Sequence, residues 1–82
     1  MISRNIILRN QKEVAEFVDI VERYPYDIEV SLGEDKMNGK SILGMMALGF
    51  NRVVQMDIQA ESADNLLEAV SKFICTQFGQ AV

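Results

Sequence analysis

The residues in this sequence best able to do chemistry are Lys40 and Ser41, which open the stretch Gly39-Lys-Ser-Ile-Leu-Gly-Met-Met-Ala-Leu-Gly49. A serine hydroxyl can attack as a nucleophile or cap a helix by accepting from a first-turn amide. The nucleophile reading lacks a base. The sequence contains no histidine, the commonest general base, the commonest metal ligand and the usual partner of a reactive Ser or Cys. Lys40 does not replace it, because adjacent side chains diverge at a helix start. The single cysteine, Cys75, cannot close an internal disulfide, agrees with a reducing compartment and is expected to be a partly buried, unreactive thiol. One Cys and scattered carboxylates make no zinc ligand set, and no Gly-rich phosphate loop is present. Neither a metal, a cofactor nor an enzymatic activity is expected. What the residues alone leave for Ser41 is helix capping.

The element that positions Ser41 reads as a two-turn helix that it caps and Gly49 stops. Between Ile42 and Leu48 the large apolar residues are Ile42, Leu43, Met45, Met46 and Leu48, and a helix this short turns only one stripe toward a core. Spacing i, i+3 assigns Met45 and Leu48 to that stripe. Ile42, Leu43 and Met46 then form a second, partly exposed apolar surface with Ser41 at its edge and Lys40 beside it. Such a surface suggests a protein partner.

Before this helix, a first strand is expected from about Ile2 to Leu8, with Ile2, Ile6 and Leu8 on one face and Ile7 on the other. Asn10 is a good N-cap, and Glu13 completes a capping-box-like pair. A helix follows from about Gln11 to Arg23, with Val14, Phe17, Val18 and Val21 inward, and Pro25 ends it. Tyr26 to Leu32 alternates as a half-buried strand, Gly33-Glu34-Asp35 turns, and Lys36 to Asn38 returns as a short strand. After the central helix, Phe50 to Arg52 is a connection. A last strand runs from about Val53 to Ala60, with Val54, Met56, Ile58 and Ala60 on one face. A final helix, capped by Ser62 or Asp64, is expected to run to about Phe78 on a stripe of Leu66, Val70, Phe73, Ile74 and Phe78, closed by Gly79. The order β-α-β-β-α-β-α gives an α+β open-faced sandwich, an antiparallel four-stranded sheet with three helices on one face.

At 82 residues, 49% hydrophobic and 24% charged, the chain is long enough for one core, so residues 1–82 are expected to form a single domain. A net charge of -4, from eight basic residues scattered among twelve acidic ones, builds no basic stripe and argues against nucleic acid. No apolar run approaches a membrane span, and the start lacks the pattern of a signal peptide, so a cytoplasmic location is expected.

In this element order, Lys40 to Gly49 resembles the Lys-Ser-Ile-Met-Gly-x-Met-x-Leu-Gly motif of the HPr family, the small phosphocarriers of the bacterial phosphoenolpyruvate-dependent sugar phosphotransferase system, and their Crh-type relatives. The similarity extends from Val14-Ala-Glu-Phe-Val18 through Ile58-Gln-Ala-Glu61 and, with a small deletion, into the last helix. The resemblance implies the HPr fold. It also implies a Gly-x-His-x-Arg-Pro-Ala loop before the first helix, whose histidine takes a phosphoryl group from enzyme I. Here Asn10 stands at the histidine, Lys12 at the arginine and Glu13 at the proline, and a carboxamide has no nucleophilic lone pair of comparable basicity. Carrier activity is therefore not expected. In many HPr and Crh proteins the motif's serine is phosphorylated by an ATP-dependent HPr kinase and the product is a corepressor for a transcriptional regulator. Ser41 matches that serine, while Ile42, Leu43 and Met46 match the family's docking surface. The expected function is a regulatory or protein-interaction module, a monomer or weak dimer, whose partners include HPr kinase or such a regulator. The alternative is a structural domain that self-associates through the same apolar surface.

Overall fold

The structure is a computed structural model and describes residues 1–75. In chain order the elements are β1 (Ile2–Leu8), α1 (Gln11–Val21), β2 (Ile28–Leu32), β3 (Asp35–Asn38), α2 (Ile42–Ala47), β4 (Arg52–Ile58) and α3 (Asp64–Ala69), followed by a 3-10 turn over Ser71–Phe73. The strands form one antiparallel sheet of four in the order β1-β4-β2-β3. Its register sets Ile6 opposite Val54, and Val30 opposite both Met56 and Met37. Side chains alternate across a strand, so Ile6, Leu8, Ile28, Val30, Val54, Met56 and Ile58 are buried together. The helices close that face. Val14, Phe17, Val18 and Val21 of α1, Met45 of α2, Leu48 just after it, Leu66 of α3, and Val70 and Phe73 complete the core. Phe17 and Phe73 meet edge to face at 6.0 Å, a geometry that contributes about 0.5–1.5 kcal/mol beyond the area buried.

The open face is polar, apart from the half-buried Ile7 opposite the exposed Val53. Asp57 belongs to this face yet is buried, because Ser3 Oγ (2.7 Å) and Gln55 Nε2 (2.9 Å) both donate to its Oδ1 and cover it.

Some element ends differ from the sequence expectation. Helix α1 stops at Val21, and Arg23 and Tyr24 follow as a tight turn with amides on the carbonyls of Ile20 and Val21. Strand β2 begins at Ile28, since Tyr26 stacks on Tyr24 at 6.4 Å instead of pairing in the ladder. Strand β3 already includes Asp35, and β4 covers Arg52 to Ile58, two residues short of Ala60. The largest correction concerns the last helix. It ends at Ala69, its N-cap is Ala63 with no side-chain cap, and neither Ser62 nor Asp64 fills that role. The 3-10 turn then keeps Val70 and Phe73, spaced i, i+3, on one side, a spacing that both helix types share. Beyond it Ile74 bridges antiparallel to Ile6, and the Cys75 amide donates to the Asn5 carbonyl at 2.8 Å. The free edge of β1 thus captures residues expected to remain helical, because its outward carbonyl needs a donor. Phe78 and Gly79 lie outside the described residues.

Candidate functional site

Strand β3 is turned into α2 by a bend at Gly39. Its amide donates to the Ile28 carbonyl at 2.7 Å, and an added Cβ would stand 2.7 Å from Ile28 Cγ2. The Asn38 side-chain oxygen takes the Lys40 amide at 2.9 Å and the Asn38 carbonyl takes the Ser41 amide at 3.0 Å. This delivers Ser41 to the N-cap in extended conformation, where Oγ accepts from the Gly44 amide at 3.2 Å. Ser41 itself is half-buried.

The sides of α2 divide much as the spacing predicts. Met45 and Leu48 are buried, whereas Ile42 is 40% and Leu43 81% exposed. Met46 is intermediate: it is half-buried and packs against the core. Lys40 does not reach out toward solvent, because its Nζ donates to the Tyr24 carbonyl at 2.7 Å in a partly buried position.

Phe50 lies in the connection expected between α2 and β4. It is 40% exposed and sits between two residues with left-handed backbone, Gly49 (φ +90°) and Asn51 (φ +61°). The Asn51 amide is tied to the Leu8 carbonyl at 2.7 Å. Because Asn tolerates this conformation and Gly is free to adopt it, the loop holds an aromatic ring at the α2 end of the site. Two residues able to take positive φ flanking an aromatic was the signal available. The same bond brings the loop against the end of β1, one residue before Arg9 and Asn10.

Asn10 caps α1 through Oδ1, which accepts from the Glu13 amide at 2.9 Å. The Glu13 carboxylate reaches back to the Arg9 amide at 2.9 Å, one residue earlier than in the usual capping box. It also pairs with the Arg9 guanidinium at 3.5 Å. Lys12 is exposed on the first turn. Among the described residues no hydrogen bond or ion pair joins Asn10 or Lys12 to Lys40 or Ser41.

Charge is uneven across this region. From Lys36 to Met56 the sequence carries Lys36, Lys40 and Arg52 and no acidic residue, in a chain of net charge -4. Arg9 and Lys12 stand before and within the first turn of α1. The exposed apolar side chains of Ile42, Leu43 and Phe50 therefore lie in a basic stretch of a mainly acidic protein. Such an arrangement can bind a protein surface. Among the described residues, no group of three or more His, Cys, Asp or Glu side chains could hold a metal ion.

The sequence profile described as "PTS HPr component phosphorylation site" matches residues 10–76. The chain belongs to the HPr family. Among solved structures it is similar to HPr-C-His of Thermoanaerobacter tengcongensis, with 26% identity, full coverage of both chains and a TM-score of 0.74. It is also similar to the phosphocarrier protein HPr of Bacillus anthracis, at 22% identity, with 90% of this chain and 96% of that one covered and a TM-score of 0.71. That likeness shows the fold. An HPr dimer of Thermoanaerobacter tengcongensis aligns at 27% identity over 79% of this chain and 76% of that one, with a TM-score of 0.64. No curated protein matches the sequence. The HPr family is the phosphocarrier family of the phosphotransferase system, and the fold is the open-faced sandwich expected. No helix among the described residues is long and apolar enough to cross a membrane.

Proposed function

We propose that this HPr-family protein, acting as one domain over its whole length, is a regulatory and protein-interaction module of the cytoplasm rather than a histidine phosphocarrier or an enzyme. The observation that carries the reading is Asn10. At the position that the family resemblance gives to the phosphoryl-accepting histidine stands a carboxamide committed as a helix cap, and the sequence offers no other imidazole. The docking surface is Ile42, Leu43 and Phe50, with Met46 contributing its outer edge and Lys40 standing behind it. Its basic setting fits a partner that is apolar at the centre and acidic at the rim.

Ser41 is the candidate switch. A kinase would form the bond from Ser41 Oγ to the terminal phosphorus of ATP while the bond to the ADP oxygen breaks and the hydroxyl proton leaves to a base on the kinase. The product adds about two negative charges at the start of α2. That position tolerates them, since first-turn amides face it, while the adjacent patch changes from attracting acidic surfaces to repelling them. Candidate partners are therefore HPr kinase and a transcriptional regulator that reads the modified surface.

The test incubates the protein separately with HPr kinase plus ATP and with enzyme I plus phosphoenolpyruvate, and records intact mass. One acid-stable phosphoryl group on Ser41 in the first reaction and no mass gain in the second are expected. An acid-labile gain with enzyme I would overturn the loss of carrier activity. The exposure of Leu43, with Ile42 and Phe50 also exposed, favours one second reading, self-association through these side chains. Sedimentation across a concentration series separates the two, a dimer abolished by Leu43→Asp supporting self-association.

A further inference from the structure

Lys40 and Ser41 are neighbours in sequence but serve different elements. Ser41 Oγ holds the first turn of α2, while the Lys40 ammonium holds the Tyr24 carbonyl beyond the end of α1. The Tyr24-Pro25-Tyr26 turn is in contact with a third element as well. Tyr26 stacks on Tyr24 with rings 9° from parallel, and its hydroxyl donates to Asn65 Oδ1 at 3.1 Å, the same oxygen that takes the Leu66 amide at 2.8 Å at the start of α3. One lysine therefore links the entry of the docking helix to a turn that also contacts the entry of α3.

We propose that Lys40 is a positioning residue, a latch between α2 and the Tyr24–Tyr26 turn, and that a phosphoryl group on Ser41 opens it. The inference rests on Ser41 being modifiable, as proposed above. In the unmodified protein the ammonium has a neutral carbonyl as its acceptor. A phosphoryl group on the next residue offers an ionised acceptor, and hydrogen bonds between two ionised groups are the stronger kind. Although the two side chains diverge where they leave the helix start, a phosphoryl group extends well beyond the Ser41 hydroxyl, and the flexible four-carbon stem of lysine lets the ammonium swing to its oxygens. Release leaves the Tyr24 carbonyl without its donor and frees the turn. Modification at the docking surface is then read at a second place, beside α3.

The two tyrosines of the sequence both lie in this turn, so protein labelled with carbonyl-13C tyrosine gives two resonances that report on it alone. Phosphoserine is installed at position 41 during synthesis, which removes kinase recognition from the test. The latch can therefore hold even if HPr kinase ignores the protein, and can fail even if the kinase modifies it. Lys40→Met is expected to move the Tyr24 carbonyl resonance in the direction of a lost hydrogen bond. Phosphoserine at 41 is expected to move it the same way, with no further shift in the Lys40→Met background, and Ser41→Ala, which only removes the cap, is expected to leave it unmoved. Lys40→Gln serves if circular dichroism shows Lys40→Met unfolded. An unmoved resonance in phosphorylated protein, or an equal shift on phosphorylation with and without Lys40, would overturn the proposal.

Discussion

Gly39→Ala tests the bend that delivers Lys40 and Ser41. The Cβ of alanine would fall 2.7 Å from Ile28 Cγ2 and 3.3 Å from both Ile28 Cβ and the Ile28 carbonyl oxygen. The Gly39 amide is at the same time fixed to that carbonyl at 2.7 Å. The methyl cannot escape without weakening this bond, and Ile28 is buried in the core and cannot easily turn aside. Overpacking of this kind costs about 1–3 kcal/mol. Gly39 does not have a positive φ, so alanine also restricts the unfolded chain and recovers about 0.4–1 kcal/mol. The net loss is about 1–2 kcal/mol. For a domain of this size that lowers Tm by about 4–16 °C, measured by thermal and urea unfolding followed by circular dichroism. Ile28→Leu moves the branch from Cβ to Cγ and so removes Cγ2 at nearly constant volume. In that background Gly39→Ala is expected to cost less than about 0.5 kcal/mol, a coupling that a double-mutant cycle isolates. An equal cost in both backgrounds would show that the Ile28 methyl is not what excludes a side chain at position 39.

Asn10→Ala removes the α1 cap and is expected to lower stability by about 1 kcal/mol, whereas Asn10→Asp keeps the acceptor and adds a charge favoured at a helix start. Urea titrations of the two variants check this, and equal losses would argue against capping. Leu43→Asp, on a side chain that buries little, is expected to change stability by less than about 0.5 kcal/mol, while Met46→Asp places a carboxylate partly in the core and costs about 1–3 kcal/mol. Matching midpoints for these two would mean that α2 is rotated from its described orientation. Asp19→Lys breaks only an exposed pair with Arg23 and should change the unfolding free energy from urea titration by no more than about 0.5 kcal/mol.

The α1 stripe, the β1 and β4 faces and the inward pair Met45 and Leu48 were all legible because each rests on a clean period against one core. The end of the last helix was not. Leu66, Val70 and Phe73 suit a continuing helix, and only the unpaired edge of β1, a tertiary fact, diverts Ile74 and Cys75 into a bridge. Tyr26 has the right parity for β2, but stacking on Tyr24 and bonding to Asn65 outweigh one more ladder position. Asp57 alternates outward as a solvated residue should, and its burial depends on Ser3, far away in sequence. At the site, the caps Asn10 and Ser41 were read from residue type and neighbours. The contact of Lys40 with Tyr24 could not be, since a long flexible side chain leaves no periodic trace of where its charge ends. Leu43 rather than Met46 as the freest apolar side chain follows from the angle at which α2 sits, which spacing alone leaves undetermined.

The bend at Gly39 also governs how the folded chain survives over time. Asn followed by Gly is the pair in which a backbone nitrogen most readily attacks the preceding carboxamide, closing a succinimide and losing ammonia. Here the attacking nitrogen is held on the Ile28 carbonyl, and the Asn38 side-chain oxygen is held by the Lys40 amide. Ring closure must first free the Gly39 nitrogen from the Ile28 carbonyl. Asn38 is thereby protected while the sheet is intact and becomes vulnerable whenever β3 detaches, so deamidation at this one residue records how often the edge of the sheet opens.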